Sequence, residues 1–245
     1  MNAFFTEMGQ TLLWDRDRRD GPLPPMLVAM TLVTGLVDAF SYLTLGHVFV
    51  ANMTGNVVLL GFALVGAPGF SIAASLVAIA SFMLGSLAGG RIGARFPANR
   101  GHQLSSGTAA QVVFFAVGVI LAALSGRPIP SGYHYALIVV LAIGMGVQNA
   151  TARRLAVPDL TTTVLTLTIT GVAADSAPGG GTGSKAGRRV VSVGTMLAGA
   201  VVGAEFLVHR QLVYPLLIAL VVTASVAATA AILGRSNPGW VALKS

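Results

Sequence analysis

A small set of polar side chains stands where almost every neighbour is apolar. Asp38 lies inside "TLVTGLVDAFSYLTLG", and Asn52, Thr54 and Asn56 follow in "VFVANMTGNVV". Further on come the pair Gln148-Asn149 and the threonines Thr161, Thr162, Thr163 and Thr166. Asp38 is the one acid among them, a candidate proton- or cation-coupling group. Its alternative use is structural, a carboxyl hydrogen-bonded across to the next segment through Asn52 or Asn56. The amides and hydroxyls are neutral donors and acceptors. Such a lining suits a small polar solute or a partly dehydrated ion, and no cluster of fixed cations awaits a large anion. The same residues also fit a plainer use, as interhelical hydrogen bonds and caps at helix breaks.

The surroundings decide how costly these groups are. Of 245 residues 54% are hydrophobic and 9% charged, against roughly 25% charged in a soluble domain. Residues 48–90, 103–126 and 211–234 carry no Asp, Glu, Lys or Arg. Each window exceeds the ~20 residues that cross a bilayer core. The chain therefore reads as an all-α polytopic membrane protein, embedded in a lipid bilayer. A carboxylate at mid-membrane costs at least about 2.5 kcal/mol and normally faces a partner or a cavity. The formal charge of +7 reflects basic loops rather than nucleic-acid binding. Cysteine is absent, which removes disulfides and thiolate chemistry.

Eight apolar segments emerge: Met26–Leu45, Met53–Val65, Ile72–Ile92, Ala109–Leu124, Tyr135–Leu155, Leu160–Ala174, Val190–Val208 and Leu212–Leu233. The second and sixth are short, as re-entrant or half-helices are. The halves echo each other. Asp38-Ala39 matches Asn149-Ala150 at an offset of 111 (149 − 38), and "MTGNVVLL" resembles "LTTTVLTL". Gly85-x-x-x-Gly89 matches Gly199-x-x-x-Gly203 at 114 (199 − 85), both pairs being candidates for close helix packing. With neither short segment crossing, 13 of the 15 basic residues fall on one side, leaving Arg127 and Arg210 on the other. Eight crossings would split them 9 to 6, and seven 10 to 5. The positive-inside rule prefers six spans with both termini cytoplasmic. Three spans per half make the duplication a 3+3 inverted repeat, as in many secondary transporters.

The expected organisation is a cytoplasmic segment 1–24, a first membrane repeat 25–126, an external loop 127–133, a second repeat 134–235 and a cytoplasmic tail 236–245. Within the second repeat, residues 176–189 read as a flexible, basic, glycine-rich cytoplasmic loop. Asn52 or Thr54 would cap the second segment, and Thr161, Thr162 and Thr163 would do the same for the sixth.

Two blocks, "TGLVDAFSYLTLGHVFVANMTGNVVLLG" and "GMGVQNATARRLAVPDLTTTVLTLT", resemble the YoaK-like family of bacterial integral membrane proteins. The resemblance spans roughly residues 25 to 235. It implies six spans and a bacterial plasma-membrane location, and it supplies no substrate or reaction.

Other motifs are weaker. "GGGTGSK" has Ser184 where a phosphate-binding loop has glycine, and no strand precedes it. The "NMT" sequon lies at membrane depth. Glu205 with His209 and Arg210 reads as an ion pair near the external face, Asp159 as a solvated loop residue, and His47 and His134 as interfacial. No spacing supports a metal site or a cofactor, and no acid–base pair supports an enzyme. The reading from chemistry is a small transporter or permease for a polar solute or ion. The alternatives are a non-transporting membrane partner or sensor with structural polar residues and, less well supported, an intramembrane enzyme.

Overall fold

The computed structural model describes residues 2–13, 19–176, 179–181, 185–235 and 239–241. Among them are nine helices: α1 (Asn2–Leu12), α2 (Leu23–Thr44), α3 (Met53–Leu64), α4 (Ile72–Ala94), α5 (Arg100–Ser125), α6 (Ser131–Leu155), α7 (Thr166–Ala174), α8 (Ala186–Val208) and α9 (Tyr214–Gly234). Six of these, α2, α4, α5, α6, α8 and α9, are long and apolar enough to cross a membrane. The twelve residues of α3 and nine of α7 reach only about 18 and 14 Å at 1.5 Å per residue.

Both short helices are re-entrant, and hydrogen bonds show it. The backbone leaving α2 turns back until Val50 and Ala51 lie beside Asp38, six residues inside the helix end. From there α3 runs outward again. His47 Nδ1, just past α2, lies 3.0 Å from Gly69 O, just before α4. The chain thus leaves α2 and enters α4 at one end of the bundle. In the second half, Thr162 has returned to the depth of Gln148, seven residues inside α6. Arg188 at the start of α8 donates to Pro158 O in the loop after α6, so this excursion also closes on one end.

The two ends are opposite ones. Arg100, 4% exposed, opens α5. It donates to Asp20 Oδ1 at 3.0 Å, just before α2, and to Leu155 O at 2.9 Å, the last residue of α6. At the far end, Gly46 after α2 faces His134 in the first turn of α6, and Arg127 reaches Leu207 O. Arg127 and Arg210 are the only described Lys or Arg residues at this far end; Arg91, Arg95, Arg153, Arg154, Arg188, Arg189 and Arg235 gather with Arg100 at the other.

α2 and α6 form the centre, carrying fully buried Val33, Leu36, Val37 and Phe40 on one and Leu137, Ile138, Leu141 and Met145 on the other. The outer helices turn Met83, Leu87, Val117, Leu197, Val201 and Val221 outward, as a lipid-facing surface requires. Lipid is as apolar as leucine, so helices here associate through close packing rather than hydrophobic exclusion. Small residues supply it. A Cβ on Gly35 of α2 would strike Met196 O and Ala200 N of α8; one on Gly146 of α6 would strike Phe82 O and Ser86 N of α4. Gly199 sits against Leu32 and Gly203 against Leu36, while Gly85 sits against Ile143 and Gly89 against Val147. Each contact recurs at the offsets of 111 and 114 already seen in the sequence (146 − 35; 196 − 82).

Several boundaries differ from the hydropathy reading. α5 begins nine residues before Ala109, because its polar first turns are satisfied within the protein: Asn99 accepts from His102 N–H and Gln103 donates to Phe96 O. α7 begins six residues after Leu160, because Ala156, Asp159 and Thr162 adopt positive φ and hold the chain out of a helix. The segment 1–24 contains α1, whose Glu7 accepts from Lys185 N–H and Gly187 N–H at the start of α8. Of the glycine-rich loop, 177–178 and 182–184 lie outside the described residues; the helix resumes at Ala186. Asp159 is not a solvated loop residue: it is 17% exposed and pairs with Arg189 at 2.9 Å. Glu205 and His209, both largely exposed, approach to 3.3 Å.

The glycine contacts give a direct test. Gly35→Ala and Gly146→Ala each force a methyl into a facing backbone, and each is expected to cost about 1–3 kcal/mol, several degrees in Tm. Gly61→Ala and Gly90→Ala, with nothing within 4 Å of the new methyl, should leave the midpoint unchanged or raise it slightly, since alanine is the better helix former. Thermal unfolding of the four purified variants in detergent reads the difference.

Candidate functional site

The break before α3 is held by three side chains, each answering a different backbone deficit. Asp38 Oδ1 accepts from Val50 N–H at 3.1 Å and Ala51 N–H at 2.8 Å. Asn56 closes on Phe49 from both sides, accepting from its N–H at 2.8 Å and donating to its C=O at 2.6 Å. Asn52 is the N-cap of α3, accepting from Gly55 N–H at 3.2 Å. Asp38 is 7% exposed and Asn56 fully buried. The polar cluster in "VFVANMTGNVV" thus repairs a backbone that leaves helical geometry at membrane depth, where water cannot.

The second break is built differently. Gln148, buried, is the hub: its Nε2 donates to Thr34 Oγ1 (2.9 Å), Met30 O (3.1 Å) and Thr162 Oγ1 (3.2 Å), and its Oε1 accepts from Gln111 Nε2 at 2.7 Å. This joins α2, α5, α6 and the loop before α7. The threonines do not cap α7. Thr161 donates to Val164 O, Thr162 belongs to the Gln148 hub, and the hydroxyl of buried Thr163 has no hydrogen-bond partner. Leu165 takes the N-cap position, without a side-chain acceptor. The reason is the positive φ of Thr162, which turns the chain once more before the helix starts.

Between the two half-helix starts lies a cavity of about 500 Å³. Asn52, Thr54 and Gly55 line it from the first half and Thr163, Leu165 and Thr166 from the second. Phe82 and Met196, the eleventh residues of α4 and α8, close its sides, which puts it at mid-bundle. Asn149 of α6 completes the wall, and its side chain makes no hydrogen bond within the described residues. Among the described residues no Asp, Glu, Lys, Arg or His lines it.

The sequence-predicted residues therefore separate into two groups. Asn52, Thr54, Asn149 and Thr163 come together on the cavity wall. Asp38, Asn56, Gln148 and Thr162 stand behind it, engaged with backbone or with one another. Sequence reasoning missed Gln111, buried and paired with Gln148, although its polar character inside the apolar run Ala109–Leu124 was a usable signal. It also missed Arg189, whose guanidinium holds Asp159 Oδ1, Asp175 Oδ2 and Gly171 O and so fastens both ends of the α7 excursion to α8. Among the described residues no group of three or more His, Asp or Glu could hold a metal ion.

Comparison with known proteins agrees that the chain is a membrane protein. The model of the family described as "Protein of unknown function (DUF1275)" matches residues 26–229. The chain belongs to that family. It is also similar to the UPF0700 transmembrane protein YoaK of Bacillus subtilis, 34% identical over 152 residues, 61% of this chain and 65% of the relative. The chain thus spans about 65% of the length of that curated relative. No solved structure matches. The matched residues include both half-helices and the cavity between them, and the chain is a multi-pass membrane protein.

Asp38 can be tested as a cap. Asp38→Ala leaves two buried N–H groups without an acceptor, at about 1–3 kcal/mol each, and should sharply reduce the yield of monodisperse protein. Asp38→Asn keeps an acceptor oxygen and should retain most of the stability. Equal stability of the alanine variant and the wild type, by thermal unfolding in detergent, would remove the capping role.

Proposed function

We propose that the protein is a small transporter or permease whose pathway for a small polar solute or ion passes through the mid-bundle cavity. One observation carries the reading: a cavity of about 500 Å³, with Asn52, Thr54, Asn149, Thr163 and Thr166 set into a mainly apolar wall, lies where two half-helices, entering from opposite ends, begin. A bundle whose polar residues served folding alone would use them all, as Asp38, Asn56 and Gln148 are used. Here Thr54, Asn149 and Thr166 stand on the cavity wall with their side chains unpaired. The reading includes an inverted repeat of 25–126 on 134–235, supported by glycine contacts that recur at constant offsets. It places the basic end, with both termini, in the cytoplasm of a bacterial cell, on the positive-inside rule.

Each half-helix would act as one gate. α3 covers the cavity from the less basic end, and α7 from the basic end. The α7 gate is fastened by Arg189, 11% exposed on its side chain, to Asp159 and Asp175. The Asp159 contact, partly buried and charge-assisted, is stronger than a surface pair, and the same guanidinium bridges to the more exposed Asp175. Opening toward the basic end would require their release, while the α3 end is closed by aromatic contacts among Tyr42, His47, Phe49, Phe62 and Phe70.

Two measurements test this reading. Purified protein in lipid vesicles should conduct at least one of glycerol, urea, nitrate and acetate faster than protein-free vesicles, by stopped-flow light scattering. Thr54→Trp, which fills the cavity from an otherwise unpaired position, should reduce that flux at least tenfold without lowering Tm. Absence of flux for the whole panel would count against transport. For orientation, a single cysteine at Ala67 in intact cells should react with an impermeant thiol reagent, and one at Ser176 should not; the reverse would invert the topology.

A further inference from the structure

A second cavity lies on the outside of the bundle, between α2 and α9, and holds about 350 Å³. Pro22 and Leu233 line it at the basic end, Ala29 and Val221 at its deeper end. Val221 is 57% exposed, and Ser225 and Thr229, which also line it, are exposed as well. The groove therefore opens toward lipid. From Leu233 to Val221 it follows α9 for twelve residues (233 − 221), about 18 Å at 1.5 Å per residue. That is about the depth of one leaflet of a hydrocarbon core some 30 Å thick. Nothing along it calls for a polar ligand. Ser225 Oγ donates to Val221 O at 2.8 Å and Thr229 Oγ1 to Ser225 O at 2.7 Å. No Asp, Glu, Lys, Arg or His among the described residues lines it.

Its basic end has the opposite character. The chain on both sides of the groove gathers there around the start of α5. Arg100 Nη1 donates to Arg19 O at 3.5 Å, Gly234 packs against Gly101, and Trp240 packs against Gly21 and Gly101. These contacts hold Arg19, three residues before Pro22, and Arg235, two residues after Leu233, on the two flanks of the groove mouth. Both arginines are exposed, and among the described residues neither guanidinium has a hydrogen-bond or ion-pair partner. The nearby carboxylate of Asp20 is taken by Arg100 at 3.0 Å. An apolar furrow one leaflet deep thus ends at two uncompensated positive charges.

We propose that this groove binds one anionic phospholipid, with an acyl chain laid along α9 and the phosphate held by Arg19 and Arg235. Guanidinium groups match phosphate oxygens bidentately, and basic pockets between spanning helices select anionic headgroups. A second copy of this chain in the same orientation would bring its own Arg19 and Arg235 to the same level, setting like charges against each other. The proposal does not depend on transport.

The test follows the unfolding midpoint of the purified protein in detergent as phosphatidylglycerol, or phosphatidylcholine with the same acyl chains, is added. A ligand that binds the folded state alone raises the midpoint as its concentration passes Kd. Phosphatidylglycerol should give a saturating rise at a mole fraction about tenfold below that needed for phosphatidylcholine. Arg19→Gln combined with Arg235→Gln should move the phosphatidylglycerol curve onto the phosphatidylcholine one. Arg91→Gln combined with Arg95→Gln, exposed at the same end but outside the groove, should leave it in place. Ser225→Leu, which fills the groove, should remove the saturating rise with both lipids; if it does not fold, the two arginine pairs decide. Identical curves for the two lipids in the wild type would overturn the proposal, and so would an equal loss from both arginine pairs. A wild-type dimer by light scattering that Ser225→Leu makes monomeric, with no lipid preference, would overturn it in favour of a second copy.

Discussion

A chain that leaves helical geometry inside a bilayer strands N–H and C=O groups where no water can reach them, and each such group costs several kcal/mol. This protein does so twice, and the rest of its architecture is arranged around the repair. At the first break one carboxylate and two amides take up the groups directly: Asp38 for Val50 and Ala51, Asn56 for Phe49, Asn52 for Gly55. At the second, the repair is indirect, through a buried glutamine that ties the loop to three spanning helices. Both solutions require α2 and α6 to lie at the centre, since Asp38 and Gln148 must meet loops that return from opposite ends.

Central placement in turn sets the demand for glycine. A core helix in lipid gains little from apolar contact alone, so its neighbours must come close enough for backbone to meet backbone. Gly35 and Gly199 do this between α2 and α8, Gly146 and Gly85 between α6 and α4. The consequence reaches the cavity, because α4 and α8 each give it one wall at their eleventh residue. A widened helix contact at these glycines would move Phe82 or Met196 relative to the half-helix starts. The packing device and the site geometry are therefore one structure.

Much of this was legible in the sequence, for physical reasons that can be named. Span number followed from uncharged length and from the clustering of Lys and Arg, since both respond to the bilayer directly. Asp38, Asn52, Asn149 and Thr163 stood out because polar groups are rare at that depth. What hydropathy could not show is which groups the fold satisfies internally. The first turns of α5 are polar, yet helical, because Asn99 and Gln103 engage the backbone around them. Asp159 looked like a loop residue because its partner Arg189 is thirty positions away. Thr161 to Thr163 had the composition of a cap, but a positive φ at Thr162 turns them elsewhere, and φ is not written in composition.

The same limit explains why the two halves diverge where they do. Close backbone contact allows no substitute for glycine, and the contact positions match between the halves. Hydrogen-bond repair has several chemical solutions, so it is free to differ. Asp38 in one half answers to Asn149 in the other, but the amide takes no part in the hydrogen-bonded hub, which is held by its neighbour Gln148. The two matched side chains do different things. Asp38 is committed to holding a loop, and Asn149 is left open on the cavity wall. The cavity wall is therefore asymmetric even though the glycine contacts around it recur at constant offsets, because steric packing and hydrogen bonding place different demands on the matched positions.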